Sequence, residues 1–416
     1  MSKMDELIAE LCPDGVEYKT LGELGKFYGG LTGKSKADFK DGNAKFITYK
    51  NVYSNPALDI HLEETVKIAK GEKQHTLQYG DIIFTGSSET PDECGLSSVV
   101  TEHSEEPLYL NSFCFFLRLN NVNSLLPDFA KHLFRSFSLR SQIGRTASGV
   151  TRFNVSKEKM ARIRIPVPPL PVQSEIVKIL DNFTELTAEL TAELTARKRQ
   201  FEYYSSYLLR GVDDIEKYEM VPLGEIAKFI YGYTDKAKDT GDARFIRITD
   251  IGDNGRLNQD DAKYVGLTDS SKKYLLKKGD LLMARTGATY GKTLSVPDDS
   301  PAVYASFLIK IVLDNSKMLN RFYWHFAQTP LYWMQAEKLV SAGGQPQFNA
   351  NAISRVLVPV PSLQEQSRIV AVLDRFDTLC NDLTSGLPAE IEARQKQYEY
   401  YRDKLLTFKE LKENSE

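Results

Sequence analysis

Gln173-Ser174-Glu175-Ile176-Val177-Lys178-Ile179-Leu180-Asp181-Asn182-Phe183 is written a second time, with four changes, as Gln366-Ser367-Arg368-Ile369-Val370-Ala371-Val372-Leu373-Asp374-Arg375-Phe376. Seven of the eleven positions are identical, so the chain is a duplication. Apolar residues fall three and four apart in both copies, the spacing of one helix face. Each stretch follows a proline-rich hinge, Ile165-Pro166-Val167-Pro168 in the first copy and Val358-Pro359-Val360-Pro361 in the second. A helix starts readily after proline. Each copy therefore predicts a long helix opening at this motif.

The repeat extends in both directions. Upstream, Leu21-Gly22-Glu23 answers Leu223-Gly224-Glu225, and Phe46-Ile47 answers Phe245-Ile246. Gly80-Asp81-Ile82-Ile83 recurs as Gly279-Asp280-Leu281-Leu282, and Asn111-Ser112-Phe113 as Ala305-Ser306-Phe307. These segments enter β-type runs, 115–119 in one copy and 308–313 in the other. Each copy thus predicts a β-rich globular part of about 150 residues with Gly/Asn/Asp turns. One helical pattern sits late in each, 126–142 and 319–338. Downstream, eight of fourteen positions agree between 196–209 and 393–406. The offset grows from 193 to 197 between the two helical matches, so the second copy carries four extra residues.

Residues 184–195 read Thr-Glu-Leu-Thr-Ala-Glu-Leu-Thr-Ala-Glu-Leu-Thr. A four-residue period stacks Leu186, Leu190 and Leu194 one turn apart, drifting by about 40° per step. Around this tract the seam positions are 176, 179, 183, 186, 190, 194, 201, 204 and 208, with Arg197 between. The second seam runs 369, 372, 376, 379, 383, 387, 391, Arg394, 398, 401 and 405. Steps of three and four with extra fours describe a coiled coil with stutters. Gly386 and Pro388 are expected to interrupt or kink the second helix. Tyr203, Tyr204, Tyr400 and Tyr401 sit at matching places near both helix ends. They read either as partner contacts or as packing against the protein's own core. The fold class expected is α+β: two similar β-rich domains in a pseudo-two-fold arrangement, separated by two long antiparallel coiled-coil helices.

Chemistry-bearing motifs are missing. The net charge of −3 argues mildly against a protein wrapped in nucleic acid but leaves room for basic patches. No apolar run approaches the roughly 18 residues of a membrane span. The N-terminus carries acids and no apolar core segment, so it does not read as a signal peptide and a cytoplasmic location is expected. Cys12, Cys94, Cys114 and Cys380 are far apart without Cys-x-x-Cys and read as buried hydrophobes, with no metal site. Gly29-Gly30-Leu31-Thr32-Gly33-Lys34-Ser35 lacks the first glycine of a phosphate-binding loop, because that position is Tyr28. Asp260-Asp261 and Asp298-Asp299 read as solvated turns. No catalytic residue is assigned; the chain reads as a binder.

The binding chemistry lies in loops. Residues 135–164 hold eight basic residues and one acid. Within them, Ser148-Gly149-Val150-Thr151-Arg152-Phe153-Asn154 is matched by Gly343-Gly344-Gln345-Pro346-Gln347-Phe348-Asn349 in the second copy. Arginine suits guanine in the major groove, and Gln and Asn suit adenine. A second divergent loop follows each Gly-Asp strand, with Ser87, Ser88 and Thr90 in one copy and Arg285, Thr286 and Lys292 in the other. The DNA-contact candidates are therefore Ser87, Ser88, Thr90, Arg145, Thr151, Arg152 and Asn154 in the first copy. In the second they are Arg285, Thr286, Lys292, Gln345, Gln347 and Asn349. Two other readings of the chain are a self-contained DNA-modifying enzyme and a coiled-coil protein–protein adaptor.

The doubled architecture, the Leu-Gly-Glu openings, the Pro-x-Pro hinge before Gln-x-x-Ile-Val-x-x-Leu-Asp, the Tyr-Tyr helix ends and the Thr-Ala-Glu-Leu tetrads together resemble the specificity (S) subunit of type I restriction-modification systems. The tetrads resemble the spacer of one subgroup. The resemblance covers nearly the whole chain. It implies target-recognition domains at 1–165 and 212–358, each reading half of a split double-stranded DNA site, with helical spacers at 166–211 and 359–416. It implies docking of two methylation (M) subunits, which bind S-adenosylmethionine and methylate adenine. It further implies restriction (R) subunits using ATP and Mg²⁺, and no cofactor in this chain.

Overall fold

The computed structural model describes residues 3–210, 218–341, 346–382 and 384–411. The chain divides into two compact units, Met1–Glu189 with Ile391–Glu416, and Leu190–Glu390.

In unit one, a four-stranded antiparallel sheet runs in the order Gly25–Gly29, Cys114–Leu119, Ile82–Thr85, Ser97–Val99. Its strands are apolar on both faces. Ile82, Phe84, Phe115 and Leu117 pack into one core, and Ile83, Cys114 and Phe116, one residue out of phase, pack into another. The period of two distributes alternate side chains to opposite faces. A second sheet joins Thr65–Val66, Ala44–Ile47, Leu108–Leu110 and Thr76–Leu77, with Phe46 parallel to Tyr109. Glu17–Thr20 closes the unit against Arg164–Val167.

Unit two repeats the plan. Ala227–Tyr231, Leu308–Leu313, Leu281–Ala284 and Thr293–Ser295 form the antiparallel sheet. Ala243–Ile246 runs parallel to Ala302–Tyr304, and Met220–Pro222 pairs with Leu357–Pro359. The Gly-Asp repeat has a physical reason in both. Gly80 and Gly279 adopt φ of +85° and +82°, a conformation that favours glycine. The aspartate beside each accepts an N–H across the turn, from Gln78 and Lys277. Each also pairs with a base on the central strand, Asp81 with Arg118 and Asp280 with Lys310.

The single late helix expected in each copy is two. Pro127–Leu133 and Phe137–Gly144 stand in unit one, and Asn320–Phe326 and Pro330–Leu339 in unit two. Ser136 and Thr329 leave the helical region before each second helix, and Thr329 caps it by accepting the Tyr332 N–H.

The first long helix is Leu170–Arg210, 41 residues, or about 60 Å at 1.5 Å per residue. The second long helix expected from the sequence is instead a pair, Leu363–Asn381 and Leu387–Leu405. The break falls at the expected Gly386 and Pro388. A Cβ on Gly386 would lie 2.5 Å from the Thr378 carbonyl oxygen, so the chain turns back on itself too closely for a side chain. The long helices pack together: Phe183 stacks on Tyr401 at 5.3 Å in unit one, and Phe201 on Phe376 at 6.2 Å in unit two. The seam differs from the expected one. On Leu170–Arg210 the least exposed line is 173, 176, 180, 183, 187, 190, 194, 197, 201, 205 and 208. Leu186 lies outside it, 37% exposed, and Thr187 takes the inner position. Leu190 and Leu194 are half-buried.

The repeated Gln-x-x-Ile-Val-x-x-Leu-Asp motif is a docking device inside each unit. Gln173 is fully buried; its Oε1 accepts the Leu126 N–H at 2.8 Å, and its amide donates to the Ser124 and Pro168 carbonyls. Gln366 does the same with Leu319, Lys317 and Pro361. Both glutamines thus fix the start of a long helix against the hinge and the preceding loop.

Candidate nucleic-acid interface

The divergent loops converge on one place in each unit, the turn between the strands ending at Leu110 and beginning at Cys114, and its counterpart in unit two. In unit one, Asn111 Oδ1 accepts the Phe113 N–H at 2.9 Å, while its amide is anchored on the Ile47 carbonyl. This holds Phe113 outward, 59% exposed. The Phe113 carbonyl accepts the Gly86 N–H at 2.7 Å, and the Gly86 carbonyl accepts the Val155 N–H. A small sheet results, in the order Ala147–Ser148, Phe153–Val155, Ser87–Ser88. Its turn presents Val150, Thr151 and Arg152 to solvent, and the Arg152 guanidinium lies 5.8 Å from the centre of the Phe113 ring. Beside it an open groove of about 560 Å³ is lined by Gly29, Thr32, Phe113, Asn154 and Lys157. A second hollow, of about 310 Å³, is lined by Phe113, Arg152, Tyr49, Tyr53 and Glu89.

Unit two builds the same junction. The Arg285 N–H donates to the Phe307 carbonyl at 3.0 Å, and the Arg285 carbonyl accepts the Phe348 N–H at 2.8 Å. Arg285 thus stands where Gly86 stands in unit one. Its guanidinium lies 5.4 Å from the ring centres of both Phe307 and Tyr231, which are themselves exposed. Gln347 bridges to Thr286 and Ser341 through the backbone.

The individual candidates divide. Arg145, Thr151, Arg152 and Asn154 are exposed. Arg145 and Thr151 make no side-chain hydrogen bond or ion pair among the described residues. Ser87 and Ser88 are buried, and Ser88 and the exposed Thr90 turn their hydroxyls to Glu93. Tyr53, Thr90 and Ser88 donate to that carboxylate and hold it below its usual range. In unit two, Arg285 is half-buried, its Nε donating to the Ser306 carbonyl at 3.1 Å. Thr286 is buried, donates to the Pro346 carbonyl and accepts the Gln347 side-chain amide at 2.7 Å. The Lys292 ammonium is paired with Asp253 at 2.5 Å. Asn349 caps the short helix Ala350–Ile353 through the Ala352 N–H. Gln345 lies outside the described residues.

The basic run 135–164 is likewise part scaffold. Arg135 donates to the Val52, Tyr53 and Ser97 carbonyls, and burial pulls its guanidinium down to about 10. Arg140 holds the Asp92, Cys94 and Gly95 carbonyls. The charges that reach solvent are those of Arg145, Arg152, Lys157, Lys159, Arg162 and Arg164, the last paired with Glu410. Phe113, Phe307 and Tyr231 are exposed aromatics at these junctions that sequence reasoning did not single out. The aligned triplets ending in Phe113 and Phe307 were visible, but they read only as leading into the β-type runs 115–119 and 308–313.

On the helices the tyrosine pairs split. Tyr204 stacks on Phe376 and Tyr401 on Phe183, while Tyr203 and Tyr400 are 63% and 62% exposed. All four cysteines are buried and free. Among the described residues no cluster of His, Cys, Asp and Glu is arranged to hold a metal ion, and no helix is long and apolar enough to cross a membrane.

Comparison with known proteins places this architecture. The family described as the type I restriction modification DNA specificity domain matches twice, over residues 13–197 and 215–393. A protein of Haemophilus influenzae, named as a type I restriction enzyme specificity subunit, is 37% identical over 276 residues, 63% of this chain and 68% of that one. A type I restriction enzyme specificity subunit of Escherichia coli is 34% identical over 281 residues, 61% of this chain and 65% of its own length. The match thus spans about two thirds of each relative. Two solved structures share the fold. One, from a study of complex assembly and conformational transition of the type I restriction-modification system, aligns with a TM-score of 0.64 at 17% identity over 95% of this chain and 98% of that one. The other, a type I system S subunit from M. genitalium, gives 0.54 at 15% identity over 94% and 96%. With both halves of its duplicated sequence matched to one family, the chain belongs to the type I restriction-modification DNA specificity subunits.

Proposed function

We propose that each β-rich unit reads one half of a bipartite double-stranded DNA site, with recognition domains at 1–165 and 212–358 and helical spacers at 166–211 and 359–416. One observation carries this reading: the two units share strand order and turn hydrogen bonds down to Gln173 and Gln366, yet differ at the exposed loop that presents Arg152 in one and Arg285 in the other. A common scaffold with divergent, arginine-bearing surfaces suits two different base sequences. Arg145, Lys157, Lys159 and Arg162 supply phosphate contacts that position without specifying. The spacer helices dock two methylation subunits, and the Thr-Ala-Glu-Leu tetrads support membership of the subgroup whose spacer is built from such repeats. S-adenosylmethionine, ATP and Mg²⁺ belong to the methylation and restriction partners, and the complex works in the cytoplasm. Specificity subunits are non-catalytic, so recognition is this chain's contribution.

The test is binding of the full chain, together with its methylation subunits, to a library of duplexes. Selection of two short motifs at a fixed gap, with affinity falling steeply as salt rises, is the expected result. Enrichment of one continuous motif, or of none, refutes it.

A further inference from the structure

The two phenylalanines at the loop junctions have no structural reason to be exposed. Phe113 and Phe307 leave 59% and 52% of their surface in water at equivalent turns, whereas of the other nineteen phenylalanines nine are buried and two, Phe39 and Phe137, are exposed. Neither ring is loose. The Phe113 backbone is fixed through Asn111 and Gly86, and the Phe307 backbone through Arg285. Each ring carries one guanidinium over it, at 5.8 Å in unit one and 5.4 Å in unit two. The arginines come from different strands. Unit two supplies Arg285 from the end of its central sheet strand. Unit one has Gly86 there, where a Cβ would lie 2.7 Å from the Phe113 carbonyl oxygen, and supplies Arg152 from the opposite turn. In unit two Gln347 lies across from Thr286 as Asn154 lies across from Ser87, and it turns its amide inward to Thr286. Ring and charge are therefore retained together while the route to them changes.

We propose that Phe113–Arg152 and Phe307–Arg285 are the equivalent base-reading elements of the two units, in which the ring is a positioning residue and the guanidinium reads a guanine. This rests on the DNA-reading function proposed above. Stacking on a phenyl face removes rotamers that a free arginine would lose on binding, so the fork arrives pre-oriented. Among the described residues Arg285 spends only its Nε, on the Ser306 carbonyl at 3.1 Å, and Arg152 makes no side-chain hydrogen bond. The Nη groups of both remain for the O6 and N7 acceptors of guanine, the bidentate partner that an arginine fork fits.

The experiment compares the wild-type chain with Phe113→Leu, Phe307→Leu, Arg152→Lys and Arg285→Lys, each in complex with methylation subunits. The probes are the duplex selected by the wild-type complex and its single-base variants. Phe113→Leu is expected to lower discrimination about tenfold at one guanine of one half-site, and Arg152→Lys at that same guanine. Phe307→Leu and Arg285→Lys should do so in the other half-site. Wild-type thermal midpoints should persist in all four. A wild-type complex that selects no bipartite duplex defeats the functional reading itself. A selective wild type whose Phe→Leu variants keep full discrimination, weaken all duplexes equally, or unfold several degrees lower leaves that reading standing and overturns this inference.

Discussion

His132 Nε2 lies 2.7 Å from Asp181 Oδ1, and the duplicated pair His325–Asp374 has the same separation of 2.7 Å. Each histidine is almost fully buried on a short helix, and each aspartate closes the repeated motif on a long one. Around His132 stand Asp181, Lys131 and the Tyr398 hydroxyl, 2.9 Å from Nδ1. Around His325 stand Asp374, Arg321 and Asp377. Burial outweighs the aspartate in both sites and lowers each imidazole below its ordinary value of 6.5. The neutral ring donates through Nε2 to the carboxylate, and in unit one Nδ1 accepts from Tyr398.

Stability should therefore depend on acid in a defined sense. The unfolded chain takes up protons near pH 6.5 that the native imidazoles resist, so their contribution is full above 6.5 and is lost as pH falls through the depressed folded values. Thermal midpoints should fall between pH 7 and roughly 5. The double variant His132→Gln, His325→Gln should be less stable at neutral pH but show a shallower slope in that window. Equal slopes for the two proteins would contradict the assignment.

Gln173 offers a second measurement. Replacing it with Leu keeps the volume but strands the Leu126 N–H and the Ser124 and Pro168 carbonyls inside the fold. Orphaned buried polar groups cost about 1–3 kcal/mol each, so Gln173→Leu should lose about 3 kcal/mol after partial relaxation. Urea titration reads the loss directly, and a change under about 1 kcal/mol would mean that the clamp is dispensable.

These two pairs show what was legible in the sequence. Gln173, Asp181 and their copies stood out because a duplicated buried contact tolerates little change. That the contact is internal could not be read, since identity between copies is the same for a core clamp and a partner surface. The Gly386–Pro388 break was legible from local chemistry. The seam was not: the inner line does alternate three and four from 173 to 201, but it passes through Leu180 and Thr187 where apolar residue type points to Ile179 and Leu186, a one-residue difference of phase that composition does not reveal. The loop residues fared similarly. Residue type marks Thr286 and Lys292 as polar, but whether a hydroxyl faces water or Pro346, or an ammonium faces phosphate or Asp253, is decided by the fold.

The tyrosine pairs separate stability from docking. Tyr204 and Tyr401, 37% and 39% exposed, keep one ring face stacked on Phe376 and Phe183, so Tyr204→Ala and Tyr401→Ala should each lower the thermal midpoint by a few degrees. Tyr203 and Tyr400 project outward. Tyr203→Ala and Tyr400→Ala should leave the midpoint within about a degree yet weaken capture of the methylation subunit about tenfold, as loss of an aromatic anchor does. Titration calorimetry with the purified methylation subunit distinguishes these outcomes. Undiminished affinity in the outward pair would remove the tyrosines from the docking surface.

The tetrad tract makes the most geometric prediction. Thr187 and Thr195 return their hydroxyls to the Phe183 and Thr191 carbonyls, one turn back on the same helix. Deleting residues 188–191 shortens the helix by about 6 Å and turns its C-terminal part by about 40°. A base pair rises about 3.4 Å and turns by about 34–36°. The rotation matches one base pair, and the excess rise is small enough for DNA bending to absorb at modest cost. The deletion should therefore shorten the gap between half-sites by one base pair and leave both half-site sequences unchanged, because the loops around Phe113 and Phe307 are untouched. Single-molecule sequencing of methylated adenines in cells carrying the deletion reads both quantities at once. An unaltered gap would sever helix length from site spacing, and an altered half-site would show that the spacer participates in base recognition.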